Sequence, residues 1–275
     1  MTINDKIKTI IKKQNSLVCV GLDIYSERIP AHIMKKNDPV FTFNQKIIDA
    51  TADIAAAYKP NLAFYEALGT EGWDILKRTV DYIPKGILKI GDAKRGDIGT
   101  TAQKYASALF DLGFDMVTVN PYLGFDSVQP FIQDESKGVF ILCLTSNPSS
   151  GDFQYLTFKK QYLYEIIAKK VNEWNKNNNC GLVVGATHPG ELKTIRSLTP
   201  ELPFLIPGIG AQGGDLKSAV IDGTDDTFSM AVINSSRGIL YASQDKNFAQ
   251  AARQKAKTLQ TDINQIIKKH QQKNK

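Results

Sequence analysis

Residues 87–112, ILKIGDAKRGDIGTTAQKYASALFDL, hold an apolar run, a charged turn and a helical stretch in direct succession. The apolar run predicts a β-strand over residues 87–94, because short runs rich in aliphatic and β-branched residues are typical of buried strands. Apolar residues at helical spacing predict a helix over residues 100–112. A strand followed at once by a helix is the repeating unit of parallel α/β folds.

The same unit recurs along the whole chain. Apolar runs predict strands over residues 17–23, 57–64, 87–94, 116–120, 139–145, 181–186, 204–209 and 230–234. Helices are predicted over residues 44–56, 71–82, 100–112, 162–175, 190–198 and 247–269. Strands that alternate with helices in this number predict an α/β protein with a single (β/α)8 TIM barrel, a catalytic domain spanning residues 1–275. A doubly wound open sheet is the alternative, although no Gly-x-Gly-x-x-Gly follows the first strand.

The composition excludes several classes of protein. Hydrophobic residues make up 42% and charged residues 23% of the chain, as in ordinary globular proteins. The net charge of +6 is mild and lies partly in residues 268–275, which we interpret as a solvated tail and not as a nucleic-acid arm. Residues 1–15 predict an amphipathic helix too charged for a signal peptide, and no apolar run approaches the roughly 18 residues of a membrane span.

The cysteines predict a reduced protein. Cys19, Cys143 and Cys180 lie far apart and lack the paired spacing of a zinc site or a disulfide framework. We therefore expect a cytoplasmic protein with no bound metal and no contact with a membrane.

Charged residues cluster at the end of the third predicted strand. In a barrel, the working side chains lie where strands end. The alternation of a strand places Asp92 and Lys94 on the same side, and Asp97 follows in the loop. Thr101 would share the face of Asp97 if a helix began there. A surface salt bridge followed by a helix cap would also fit this pattern, but two carboxylates around a lysine favour a catalytic site.

A second lysine lies inside the second predicted strand. A lysine buried in a barrel strand costs several kcal/mol unless it is paired, so Lys59 should have a carboxylate partner. Asp92 on the neighbouring strand is the obvious candidate. Asp23, which ends the first strand, adds a third acid at the same rim.

Two loops near the end of the chain are suited to bind phosphate. Glycine-rich residues 207–214 follow the seventh predicted strand, and Arg237 follows the eighth. Glycines let backbone N–H groups approach an anion, and an arginine can donate two hydrogen bonds to a phosphate. The glycines could instead only form tight turns, but barrels often hold phosphate between these two loops. No chemistry is assigned to the histidines, which show neither metal spacing nor a paired nucleophile: His32, His188 and His270.

Residues 92–98, Asp-Ala-Lys-Arg-Gly-Asp-Ile, with Lys59 upstream, resemble the Asp-x-Lys-x-x-Asp signature of the orotidine 5'-phosphate decarboxylase family. The Lys-Arg-Gly-Asp-Ile-Gly-x-Thr form and the chain length are similar to the bacterial branch called type 2. The match extends from residues 21–23 to Arg237, which is most of the predicted barrel. The resemblance implies conversion of orotidine monophosphate, a small-molecule nucleotide, to UMP and CO2 in de novo pyrimidine biosynthesis. It also implies that no cofactor is used and that the active sites are shared in a homodimer.

Particular residues take roles by this resemblance. The implied catalytic set is Lys59, Asp92, Lys94 and Asp97, the last donated by the neighbouring subunit. The implied ribose contacts are Asp23, Asn61 and, from the neighbouring subunit, Thr101. The implied phosphate contacts are Gln212, Arg237 and the backbone around Gly208 and Gly210. The implied apolar wall beside the departing carboxylate is Ile98 and Pro207. A hydroxyl residue after the fifth strand is implied at the pyrimidine ring, where Thr145 and Ser146 both qualify and we prefer Ser146.

Three other functions remain open from the sequence. A related decarboxylase of keto-sugar phosphates has a similar motif but uses magnesium, so magnesium dependence would identify it. An aldolase could form a Schiff base on Lys59 or Lys94, which borohydride would trap. A non-catalytic barrel could bind phosphorylated metabolites, and nucleotide affinity without turnover would indicate it.

Overall fold

Eight parallel strands close into a barrel in the computed structural model, which describes residues 1–209 and 213–273. The barrel strands are β1 Val18–Leu22, β2 Ala57–Pro60, β3 Leu88–Arg95, β4 Met116–Val119, β5 Gly138–Leu144, β6 Cys180–Val184, β7 Phe204–Ile206 and β8 Ala231–Ser235. Each strand pairs with the next along the chain, and β8 pairs with β1 to close the ring. The predicted (β/α)8 barrel is confirmed, and the open sheet is excluded.

Helices surround the barrel. The α-helices are Ile3–Gln14, Ala31–Met34, Pro39–Thr51, Leu62–Glu66, Gly69–Tyr82, Gly99–Asp111, Phe125–Val128, Leu163–Trp174, Pro189–Leu198, Leu216–Ile221, Arg237–Leu240 and Phe248–Lys273. Short 3-10 helices cover Ser26–Arg28, Gln129–Phe131 and Pro148–Asp152. A two-stranded antiparallel hairpin, Thr157–Phe158 with Gln161–Tyr162, lies outside the barrel.

The strands are buried because both of their faces are covered. Every residue of β1, β2, β4, β6 and β7 is buried. Such continuous burial is expected of parallel strands that have side chains in the barrel interior on one face and helices on the other. It also explains why the strands were visible in the sequence as unbroken apolar runs.

Several predicted boundaries were wrong. The second strand was predicted to continue to residue 64 but ends at Pro60, because Asn61 caps the helix Leu62–Glu66 by accepting the Ala63 N–H at 3.3 Å. The seventh strand ends at Ile206 and not at residue 209. The helix predicted over residues 44–56 begins earlier, at Pro39, because proline suits the first helical position.

The amphipathic helix predicted at the N-terminus is confirmed as Ile3–Gln14. Thr2 and Asp5 form a reciprocal cap at its start, and its isoleucines are buried. In the described part of the chain, no helix is both long enough and apolar enough to cross a membrane. All three cysteines are buried free thiols, and burial raises the pKa of Cys19 to about 12.

Candidate active site

A cavity of about 530 Å³ opens at the carboxyl end of the barrel strands, where barrels place their active sites. Its charged and polar lining comes from the ends of several strands and the loops that follow them. The described residues that line it are Asp23, Lys59, Asp92, Lys94, Thr118, Leu142, Thr145, Ser146, Asn147, Gln154, Val183, Leu205, Pro207, Gly208, Ile209, Asn234, Ser235, Ser236, Arg237 and Gly238.

Lys59 lies at the floor of this cavity between two carboxylates. Its ammonium donates a hydrogen bond to Asp92 Oδ2 at 2.8 Å and lies 3.7 Å from Asp23 Oδ1. Burial disfavours the charged form, but the two carboxylates outweigh it and hold the pKa of Lys59 above its ordinary value. The prediction that Lys59 is paired with Asp92, with Asp23 at the same rim, is confirmed.

Asp92 connects this buried pair to a more exposed lysine. Lys94 Nζ donates to Asp92 Oδ1 at 2.5 Å, and the Lys94 side chain is 49% exposed. Burial raises the pKa of Asp92, yet Lys59 and Lys94 more than offset this and hold that pKa below its ordinary value. The cavity therefore presents an ammonium group that a fixed carboxylate holds in place.

The backbone at Lys94 is unusual. Its φ angle is 48°, in the left-handed region, and the pairing of β3 with β4 shifts register between Gly91 and Arg95. A non-glycine residue in this conformation costs about 1–3 kcal/mol, and such residues cluster at functional sites. The Thr118 hydroxyl of β4 accepts the Lys94 N–H at 2.8 Å and donates to Asp92 Oδ1 at 3.1 Å. No pattern in the sequence predicted a role for Thr118.

The loops after β7 and β8 also line the cavity, through Pro207, Gly208 and Arg237. The assignment of Gly208 and Arg237 to a phosphate stays a prediction. Gly208 has a φ of 106°, which glycine adopts readily, and the Gly214 N–H donates to its carbonyl at 3.1 Å, closing the base of the loop. The other predicted phosphate contacts, Gly210 and Gln212, lie outside the described residues.

The two hydroxyl residues after β5 both line the cavity. The Thr145 hydroxyl donates to Asn147 Oδ1 at 2.6 Å and accepts from Gln154 Nε2 at 2.8 Å. Gln154 also accepts the Thr145 backbone N–H at 2.8 Å. Thr145 therefore engages its hydroxyl in holding the loop together, and our preference for Ser146 as the pyrimidine contact stays a prediction.

Of the predicted residues that the structure describes, four do not line the cavity of their own chain: Asn61, Asp97, Ile98 and Thr101. Asn61 uses its side chain as a helix cap. Asp97 accepts the Ile98 N–H at 2.8 Å, and the Ile98 side chain is 55% exposed. The helix Gly99–Asp111 begins after both, so Asp97 is not part of it and Thr101 lies in its first turn.

His188, for which the sequence predicted no role, contacts the loop after β5 that lines the cavity. Its Nε2 lies 3.1 Å from the Thr145 carbonyl oxygen, and its Nδ1 lies 3.1 Å from the Tyr155 hydroxyl. Tyr155 donates to Glu191 at 3.0 Å. The partners lie on separate segments, so no local sequence pattern could reveal them.

Within residues 1–209 and 213–273, no group of three or more His, Cys, Asp or Glu residues is placed to hold a metal.

Comparison with known proteins gives consistent matches. The sequence model of the orotidine 5'-phosphate decarboxylase / HUMPS family matches residues 16–253. The orotidine 5'-phosphate decarboxylase of Dehalococcoides mccartyi strain BAV1 is 49% identical over 274 residues, covering 98% of this chain and 100% of that protein. The solved structure of Leishmania donovani OMP decarboxylase superposes with a TM-score of 0.85 at 40% identity, covering 97% of this chain and 98% of that one. Leishmania donovani UMP synthase gives a TM-score of 0.87 at 42% identity over 97% of this chain, which spans 56% of that longer one.

Proposed function

This chain belongs to the orotidine 5'-phosphate decarboxylase family, and we propose that it converts orotidine monophosphate to UMP and CO2 with Lys94 as the proton donor. It is a carboxy-lyase, and its place is in pyrimidine biosynthesis. The observation that supports this mechanism most directly is the Lys59–Asp92–Lys94 array at the cavity floor, with a half-exposed ammonium held by a buried carboxylate.

The chemistry requires a positive charge beside the reacting carbon. When the bond from C6 to the carboxyl group breaks, the electron pair stays on C6, in a ring with no ordinary electron sink. A preorganised ammonium stabilises that charge as it develops. Because this interaction is stronger in the transition state than in the bound substrate, it lowers the barrier to decarboxylation. Lys94 then transfers a proton from Nζ to C6, which completes UMP, and takes up a new proton from solvent.

Asp92 supports both steps by position and charge. It holds the Lys94 ammonium in place before each turnover. Lys59 balances the second oxygen of Asp92, so that this carboxylate stays ionised although it is buried. The proposed array therefore needs no electron sink beyond the protein's own charges.

The remaining parts of the substrate fit the rest of the cavity. The Asp23 side chain lines the cavity and is 19% exposed, so we assign its carboxylate to a ribose hydroxyl. Arg237 and Gly208 line the same cavity, and we assign Arg237 and the backbone at Gly208 to the phosphate. We place the pyrimidine ring between Lys94 and the loop of Thr145 and Ser146, with Pro207 on its apolar side.

We expect EDTA to leave the conversion of orotidine monophosphate unchanged, because the proposed carbanion is stabilised by Lys94 and not by a Lewis acid. The reaction is measured as a loss of absorbance. Activity that disappears on chelation and returns with magnesium would assign the chain to the magnesium-using decarboxylases. Trapping by borohydride would indicate an aldolase, and nucleotide binding without turnover would indicate a binding protein.

Replacing Arg237 with alanine should weaken the apparent affinity for orotidine monophosphate about 10- to 100-fold, because hydrogen bonds between charged groups are lost. Orotidine, which lacks the phosphate, should be affected far less. Kinetics with both substrates measure the difference, and equal losses would show that Arg237 does not contact phosphate. Arg253→Ala is a matched control. Arg253 lies on the outer helix Phe248–Lys273, where its guanidinium pairs with Asp53.

We also propose a homodimer in which Asp97 and Thr101 complete the partner's cavity. Both lie outside the cavity of their own chain, next to Ile98. Exposed apolar side chains are frequent in the segments that follow β3 and β4: Ile98, Tyr105, Tyr122, Leu123 and Phe125. Such a concentration of exposed apolar groups is typical of a protein interface. In this arrangement Ile98 joins the apolar wall of the partner's site together with that chain's Pro207.

We further propose a cytoplasmic location. The buried free thiols are those of a protein in a reducing compartment.

A further inference from the structure

Thr118 lies beneath Lys94 and is buried, with 1% of its surface exposed. It belongs to β4, between Val117, which pairs with Gly91, and Val119, which pairs with Arg95. Three residues of β3, from Asp92 to Lys94, therefore lie opposite Thr118 alone. β3 is bulged where its charged side chains enter the cavity.

Thr118 provides a hydrogen-bond acceptor for the backbone of the bulge. Extra residues in a bulge lose their place in the hydrogen-bond ladder, and a buried N–H without a partner is costly. The Lys94 N–H finds its acceptor in the Thr118 hydroxyl at 2.8 Å instead of in a backbone carbonyl. That bond stabilises the left-handed conformation of Lys94, which a lysine does not favour by itself.

The same hydroxyl has one proton, and it donates that proton to Asp92 Oδ1 at 3.1 Å. Asp92 Oδ1 also accepts from Lys94 Nζ, while Asp92 Oδ2 accepts from Lys59. A single oxygen atom thus contacts both the backbone that carries Lys94 and the carboxylate that orients its ammonium. Valine has the same shape but can make neither bond.

We propose that Thr118 is a positioning residue for the decarboxylation, holding the Lys94 backbone and the Asp92 carboxylate in one fixed arrangement so that the ammonium stays aimed at C6. This inference rests on the proposed function of Lys94. Thr118 acts through these two residues and is needed for the rate of the chemical step, and binding of phosphate and ribose does not depend on it.

The test compares Thr118→Val with Thr118→Ser in the full-length protein. The valine variant should lose about 10- to 100-fold in kcat, since a displacement of about 1 Å can cost a hundredfold. Its KM for orotidine monophosphate and its affinity for UMP should stay near the wild-type values. The serine variant keeps the hydroxyl and should recover most of the rate. Thr118→Ala removes the same oxygen and replaces the valine variant if that does not fold.

A second measurement does not depend on turnover. Exchange of the Lys94 amide hydrogen with solvent should be faster in Thr118→Val than in the wild type and in Thr118→Ser. Thr224→Val is the control, because its hydroxyl is also buried but donates to the carbonyl of Val220 in the helix Leu216–Ile221, and neither residue lines the cavity. It should leave both kcat and Lys94 exchange unchanged.

The outcomes separate the two proposals. A valine variant with wild-type kcat overturns the positioning role, while turnover by the wild type keeps the decarboxylase function intact. A wild type without turnover overturns the function and with it the positioning of Lys94 for decarboxylation. Lys94 exchange then decides whether Thr118 holds the Lys94 backbone, which is refuted if exchange is unchanged. Equal losses in the valine and serine variants would show that the hydroxyl is not the reason.

Discussion

Replacing Lys94 with alanine should abolish turnover and leave a folded protein that still binds UMP. A general acid contributes about 10²–10⁴-fold and a positioned charge about 10²–10³-fold, so a loss of at least roughly 10⁴-fold in kcat is expected. The fold should survive because the Lys94 side chain is half exposed and packs little. Asp92 would keep Lys59 as its partner. Steady-state kinetics and calorimetric titration with UMP measure the two effects.

Lys89→Ala provides the comparison for this variant. Lys89 lies on the same strand, but its ammonium donates to the Val80 carbonyl, outside the cavity. Each folded molecule of the control should keep wild-type turnover. If Lys94→Ala decarboxylated its substrate at a substantial rate, Lys94 could not be the proton donor.

The barrel could be predicted because its strands are buried on both faces. Continuous apolar runs such as β1 and β4 show in a sequence whatever their neighbours are. Boundaries depend on finer local choices, and these were missed. Asn61 looks like the continuation of β2, yet it ends the strand because its side chain caps a helix. The helix that begins at Pro39 has Val40, Phe43 and Ile47 buried at helical spacing, so its first turn was visible in the sequence and was missed.

The charged part of the site was predictable for an energetic reason. A lysine in a buried strand requires a carboxylate, and the neighbouring strand offered Asp92. The observed 2.8 Å contact follows from that requirement and from parallel pairing of β2 with β3.

The neutral polar groups were not predictable in the same way. Thr118 matters only because β3 is bulged opposite it, and a bulge leaves no mark in composition or period. His188 and Gln154 act by contacts to the backbone of Thr145, which depend on how the loops after β5 and β6 fold and meet. A threonine, a histidine or a glutamine in a loop is common, so residue type alone carries little information.

The cross-subunit site makes a prediction that distinguishes it from a site within one chain. Lys94→Ala and Asp97→Ala homodimers should each be nearly inactive, because every site lacks one essential group. If the two are dissociated, mixed and reassociated, about half of the dimers will be mixed, as isologous two-fold pairing requires. One site of a mixed dimer carries both substitutions. The other combines an intact Lys94 from the Asp97→Ala chain with an intact Asp97 from the Lys94→Ala chain.

Roughly one quarter of wild-type activity should therefore return on mixing, since half of the dimers have one complete site out of two. The placement of Asp97 motivates this expectation, because its carboxylate accepts the Ile98 N–H and does not line the cavity of its own chain. If Asp97 served its own chain, neither site of a mixed dimer would be complete. Activity that stays at the level of the parents, with heterodimers verified by mass, would refute the shared site and leave the decarboxylase function standing.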